Sequence, residues 1–131
     1  MLTDDAKIKK EIAQAASDHL QAPDARTALN HFCRDVIAVS NENIYSSLAA
    51  LTKDVNDYYQ ILKKVNNSGW DDIHIQILNS DTVTFTAKFN YSFTTIEDEI
   101  IDLKGIWTAI FVRETVSGKS NCVMNLFHNY S

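Results

Sequence analysis

The chain has one proline, three glycines and two cysteines in 131 residues. Scarcity of Pro and Gly argues against disorder, collagen-like repeats and long flexible linkers. Basic side chains are outnumbered, twelve against seventeen acidic, for a formal charge of −5. No Lys/Arg-rich run offsets that balance, so phosphate is repelled on average and no nucleic-acid partner is expected. No apolar stretch approaches the ~18–20 residues that span a bilayer, so no membrane partner is expected either. The charged start Met1-Leu2-Thr3-Asp4-Asp5-Ala6-Lys7 contains no apolar secretory core, which points to a cytoplasmic location. Cys33 and Cys122 lie far apart without CxxC spacing and, in that compartment, read as two inert free thiols. The glycosylation sequons at Asn66, Asn90 and Asn129 then carry no weight.

Motifs for common cofactors are missing too. There is no metal-ligand spacing of His and Cys, no Gly-rich phosphate loop and no Gly-x-Ser-x-Gly elbow, so no metal and no cofactor are expected. Glu97, Asp98, Glu99 and Asp102 fit no EF-hand spacing and read as a solvated turn.

What is present is a core-forming composition, 45% hydrophobic and 22% charged, of a length suited to one domain over residues 1–131. Such a chain buries roughly two-thirds of its unfolded surface and needs no staple to fold. Ile8, Ile12, Ala15, Ala16 and His19 recur on one helical face, predicting a helix from Asp4 to Leu20. Pro23-Asp24 interrupts it and starts a second helix with Ala25, Ala28, Leu29 and Phe32 as its stripe. Asp35 to Ser40 is β-branched and reads as a short strand, closed by the polar turn Asn41-Glu42-Asn43. Ser46 or Ser47 caps a third helix whose buried face is Leu48, Leu51, Val55, Tyr58 or Tyr59, Leu62 and Val65; Asn66-Asn67-Ser68-Gly69 ends it.

The period then changes to two. Ile73, Ile75 and Ile77 alternate with His74 and Gln76, and Asn79-Ser80-Asp81 turns the chain. From Thr82 to Thr95, Val83, Phe85, Ala87, Phe89, Tyr91 and Phe93 share one face, with polar residues between them. A second long strand runs from Leu103 to Glu114, Ser117-Gly118-Lys119 makes a hairpin turn, and Asn121 to Tyr130 returns. A fourteen-residue strand spans ~45 Å and must bend in so small a protein. The predicted fold is therefore α+β: a curved, mostly antiparallel sheet wrapped around N-terminal helices in the order α-α-β-α-β-β-β-β, with a pocket between helices and sheet.

That order, with Phe32-Cys33-Arg34-Asp35-Val36-Ile37-Ala38-Val39, Gly69-Trp70 before Ile73 to Leu78, Asp81 to Ala87, Gly105 to Glu114 and the ending Val123 to Ser131, resembles the nuclear transport factor 2-like superfamily. Within this cystatin-like cone fold, the SnoaL-like, ketosteroid-isomerase-like branch is most similar. The chain departs from it at Lys119-Ser120-Asn121, where relatives commonly open the last strand with Trp-Lys, and at His128-Asn129-Tyr130-Ser131, where an acidic residue often stands between His and Ser. The resemblance implies ketosteroid-isomerase-like or polyketide-cyclase-like proton transfer, with a carboxylate base on the strand after the second helix. That position falls at about Ser40, followed by Asn41, and neither is a base near neutral pH. Asp35 and Glu42 are the nearest carboxylates, and both have plainer readings as cap or turn residues.

His128 is the strongest single polar candidate for acid–base work or ligand contact, against a plainer role as a satisfied histidine at the sheet end. His19 is a boundary residue facing core or pocket, while His31 and His74 read as surface positions. Tyr58 or Tyr59 points at the sheet, where a phenol meets either a ligand or a backbone group. With Phe85, Phe89, Tyr91, Trp107 and His128, these tyrosines make the expected ligand-binding set. Trp107, Ala109 and Phe111 alternate with Ile106, Thr108, Ile110 and Val112, so both faces of that strand are largely apolar. A homodimer through the sheet face accounts for the second apolar face. The leading reading is a small-molecule-binding protein for an apolar or aromatic ligand. The alternatives are an isomerase, cyclase or dehydratase working by proton transfer, and a non-catalytic association domain.

Overall fold

The computed structural model describes residues 4–40 and 43–113, and the backbone of residues 122–130. Helix α1 spans Asp4–Leu20 and α2 spans Ala25–Ala28; strands β1, Phe32–Ser40, and β2, Asn43–Tyr45, follow. Then come α3, Leu48–Ile61, and strands β3, Leu62–Asn79, β4, Thr82–Thr95, β5, Ile100–Val112, and β6, Cys122–Tyr130. One six-stranded sheet has the order β2-β1-β6-β5-β4-β3. All neighbours are antiparallel except β1 and β6, which run parallel. This is the expected α+β arrangement of helices on a mostly antiparallel sheet.

Local chemistry explains most elements. The α1 stripe buries Ile12, Ala15 and Ala16, as its period requires. Asp24 caps α2 by accepting a bond from the Thr27 N–H, and that bond, with the Thr27 hydroxyl, holds its carboxyl below the ordinary range. Ser47, not Ser46, caps α3 by accepting from the Ala50 N–H at 3.2 Å. In the β3–β4 turn the Asp81 N–H donates to Asn79 Oδ1 at 2.8 Å. Thr95 closes the β4–β5 turn: its buried hydroxyl accepts from the Glu97 and Glu99 N–H groups.

Four expectations about elements are corrected. Phe32 opens β1 instead of extending the second helix, because α2 stops at Ala28. Asn43 belongs to an added edge strand, β2, paired as Ser40↔Asn43 to Ala38↔Tyr45; Asn41 and Glu42 lie outside the described residues. The third helix ends at Ile61, and Leu62, Val65 and Asn66–Gly69 all lie in β3. The cause is β4, whose far half, Asn90 to Thr95, needs a backbone partner and finds it in Leu62 to Gly69. Eighteen residues at full extension would reach about 60 Å, and the β3–β4 ladder shifts register four times to bend. Asn66 sits at one such shift, where its amide donates to Ser92 Oγ and accepts from Thr94 Oγ1. Last, β5 begins at Ile100, ahead of the expected Leu103. The expected turn at Ser117-Gly118-Lys119 lies outside the described residues.

A further correction concerns the thiols. Cys33, 3% exposed, is disulfide-bonded, and among the described residues no cysteine is free. The parallel pairing of β1 with β6 sets Phe32 opposite Val123, so strand starts far apart in sequence become neighbours. The expectation of two free thiols, drawn from a cytoplasmic location, is not met at Cys33. No helix among the described residues is long and apolar enough to cross a membrane.

The core lies between the helices and one sheet face. Val83, Phe85, Ala87, Phe89, Trp107, Ala109 and Phe111 from β4 and β5 meet Ile12, Ala15 and Ala16 from α1 and Leu51 from α3. Helix α1 rests on β3 and β4 while α3 rests on β1 and β2. The two supports diverge, and a space is left between them.

Candidate functional site

That space is a cavity of about 220 Å³. Helix α1 contributes His19 and Leu20, and α3 contributes Leu51, Asp54, Val55, Tyr58 and Tyr59. The sheet contributes Ala38, Val39 and Ser40 from β1, Trp70 from β3, Phe89 and Tyr91 from β4, and Leu103 and Trp107 from β5. Asp54 is exposed, so the cavity reaches the surface beside it. Aromatic rings dominate the wall. Trp70 lies 5.2 Å from Trp107 and stands edge-on to Phe89, ring centre to ring centre 6.5 Å.

His19 is held by its surroundings. Its ring stacks on Trp107 at 5.3 Å and tilts over Phe32 at 5.1 Å. Nδ1 is 2.8 Å from the Ala28 carbonyl oxygen, which can only accept, so Nδ1 carries the hydrogen in a neutral ring. Burial pushes the imidazole below its ordinary pKa, partly offset by the Ala28 carbonyl and reinforced by nearby His31. The site therefore holds a neutral histidine at neutral pH, its tautomer fixed by the backbone.

The tyrosines divide their work. Tyr59 donates to the Ala22 carbonyl at 2.8 Å, and burial, with Tyr91 and Asp24 adding to it, pushes its phenol up to about 12. Tyr58 and Tyr91 bond to each other, oxygen to oxygen at 2.5 Å. Burial raises both phenols; the shared bond raises Tyr58 further and moderates Tyr91. Both stay protonated at neutral pH. A pair of phenols has two protons and only one is used between them, so one hydroxyl hydrogen is left over whichever ring donates.

Among the predicted ligand set, Tyr58, Tyr59, Phe89, Tyr91 and Trp107 come together around the cavity. Phe85 does not: it is fully buried behind the wall, packed on Trp70 and Trp107. Asp35 is exposed and is not among the lining residues, because its neighbour Val36 takes the inward position on β1. Ser40, the position implied for a carboxylate base, does line the cavity. Glu42 and the side chain of His128 lie outside what is described; the backbone register sets His128 between Ser40 and Trp107. Trp70 and Asp54 were missed. Trp70 follows Asn66–Gly69, which reads as a helix terminator, and Asp54 lies off the apolar stripe of α3. His31, half-buried near Asp18, and His74, exposed and bonded to Asp72 at 2.8 Å, take no part.

No protein-family model and no curated protein matches the sequence. Solved structures do match in shape. A nuclear transport factor 2-like superfamily protein from Salmonella enterica superposes with a TM-score of 0.81 at 8% identity, covering 95% of this chain and 91% of that one. A proposed calcium/calmodulin-dependent protein kinase II association domain from Xanthomonas campestris gives 0.77 at 8% identity, over 99% and 89%. A hexachlorocyclohexane dehydrochlorinase from Novosphingobium barchaimii gives 0.76 at 13% identity, over 95% and 87%. The fold is thus the nuclear transport factor 2-like cone. Identity at this level establishes the fold alone, and two of the three are named for different roles, an association domain and a dehydrochlorinase.

Proposed function

We propose that the chain binds an apolar or aromatic small molecule in the cavity between the helices and the sheet. The observation that carries this reading is the wall itself: a 220 Å³ space ringed by Tyr58, Tyr59, Trp70, Phe89, Tyr91 and Trp107 and closed behind by a packed core. The fold neighbours include a dehydrochlorinase, which makes a ligand role plausible on this scaffold. Both tryptophans of the chain line the cavity, so intrinsic fluorescence reports directly on occupancy. Tetralin, a two-ring hydrocarbon, is expected to shift or quench that emission saturably. Leu51→Trp, which fills the space from α3, is expected to abolish the response while circular dichroism stays native. An unsaturable response, or one unchanged in Leu51→Trp, would sink the reading.

His19 favours a second reading, proton transfer in the manner of an isomerase, cyclase or dehydratase. A neutral imidazole fixed through Nδ1 against an aromatic wall is a reasonable acid–base group. With a turned-over substrate in hand, His19→Gln would lose turnover and keep binding. In this proposal residues 1–131 form one domain, and a homodimer contact lies on the outer face of the sheet, where Ile106 is 43% exposed.

A further inference from the structure

We infer that the cavity takes a ligand of one or two rings that carries a protonated amine, with the ammonium seated at the mouth against Asp54. This rests on the binding role proposed above and names the class of ligand. Size sets the ring part. A cavity of ~150 Å³ suffices for benzene, and drug-sized ligands begin at about 300 Å³. The observed 220 Å³ lies between the two.

Charge decides the rest. Asp54 stands one helical turn after Leu51 and one turn before Tyr58, at the edge of the α3 face that lines the cavity. No ion pair to it is found among the described residues. Its neighbour Lys53 pairs instead with Asp57, at 3.7 Å. Of the twelve Lys and Arg, only Lys119 lies outside the described residues, and none of the others lines the cavity. Asp54 therefore leaves the described wall with a negative charge and no cation to balance it. The rings act in the same direction. Aromatic faces are electron-rich and attract a cation within about 6 Å of the ring centre. Tyr58 and Tyr59, ring centres 4.8 Å apart, both line the cavity on the helix that carries Asp54. Asp54 is exposed, so an ammonium beside it keeps water on its outer side and avoids the full cost of burying a charge. A carboxylate in that place meets like charge on Asp54 and the electron-rich faces of the rings.

The test is calorimetric binding of three probes that differ at one carbon: tetralin, 2-aminotetralin, which is protonated at neutral pH, and tetralin-2-carboxylate. The amine is expected to bind about three- to thirtyfold more tightly than tetralin, the combined range of one exposed ion pair and one cation–π contact. The carboxylate should bind more weakly than tetralin, and added salt should narrow the gap between the two charged probes. Asp54→Asn is expected to lose most of the preference for amine over carboxylate, and Asp54→Lys to reverse it. An unaltered protein that binds the amine no more tightly than tetralin overturns the inference and leaves the binding role standing. An amine preference that persists in both folded variants also overturns it. Failure of all three probes to bind overturns the binding role as well. Position 54 is exposed, so both variants are expected to keep native circular dichroism. If neither folds, the probe series on the unaltered protein at low and high salt decides alone.

Discussion

His19 stands on the apolar stripe of α1, yet its ring chemistry ties it to the Ala28 carbonyl and the face of Trp107. Burial lowers its pKa, so the folded protein takes up that proton at a lower pH than the unfolded chain, where histidine titrates near ~6.5. The stability that follows is fully present above about pH 6.5 and is lost as the pH falls below it. Melting temperatures at about pH 7.5 and pH 5.5 should therefore drop more for the natural protein than for His19→Gln. Parallel drops would mean that the imidazole is not held neutral. Beside it, Trp107 is 2% exposed and touches His19, Trp70 and Phe85. Trp107→Ala should cost about 3–5 kcal/mol in denaturant unfolding, since the rings around it cannot all collapse into the space. Sequence reading reached Trp107 through strand alternation. It could not place His19, because a histidine on an apolar stripe faces core or cavity with the same spacing.

Element by element, the clearest segment was β4, observed over the predicted Thr82–Thr95 with Val83, Phe85, Ala87, Phe89 and Phe93 buried. Helix α1 was equally legible, its stripe and its ends set by one period. Strand β3 was not. Leu62 and Val65 continue the 3.6-residue stripe of α3, and Asn66–Gly69 looks like a stop, so local pattern favours helix there. What prevails is nonlocal: the far half of β4 needs a partner, and a bulge at Asn66 with its side-chain bridge to Ser92 and Thr94 lets poor strand formers serve. This reading makes Gly69 dispensable as glycine. An added Cβ would sit 3.8 Å from the nearest atom of Asn90, ordinary contact. Gly69→Ala should therefore stabilise by about 0.4–1 kcal/mol, through the lower entropy of the unfolded chain. A loss of stability in urea unfolding would show that position 69 needs backbone freedom. Ser47→Ala, by contrast, removes the bond to the Ala50 N–H and should cost about 0.5–2 kcal/mol.

For the whole molecule, the sheet has two faces and the helices cover only one. Along β5, Trp107, Ala109 and Phe111 are buried beneath the helices, while Ile106, Thr108 and Ile110 look outward. Register sets Lys88 beside Ile106, Thr86 beside Thr108 and Thr84 beside Ile110, so a row of threonine and isoleucine runs across the strands. The Thr108 hydroxyl is 3.4 Å from that of Thr86, which partly satisfies polar groups on an otherwise apolar strip. This alternation was legible because period two assigns faces without knowledge of topology. Which face the helices take was not, since a one-residue slip exchanges them and both carry isoleucine or tryptophan. A second copy of the same face would cover the strip by two-fold pairing and remove Ile106 from water. In sedimentation equilibrium the natural protein is then expected at twice the chain mass, and Ile106→Glu at the chain mass with native circular dichroism. Burying the introduced carboxylates in the seam carries a desolvation cost that the neighbouring Lys88 offsets only in part, which opposes association. A natural protein that sediments at the chain mass at every concentration would instead assign the strip to ordinary exposed surface, where single apolar residues are common.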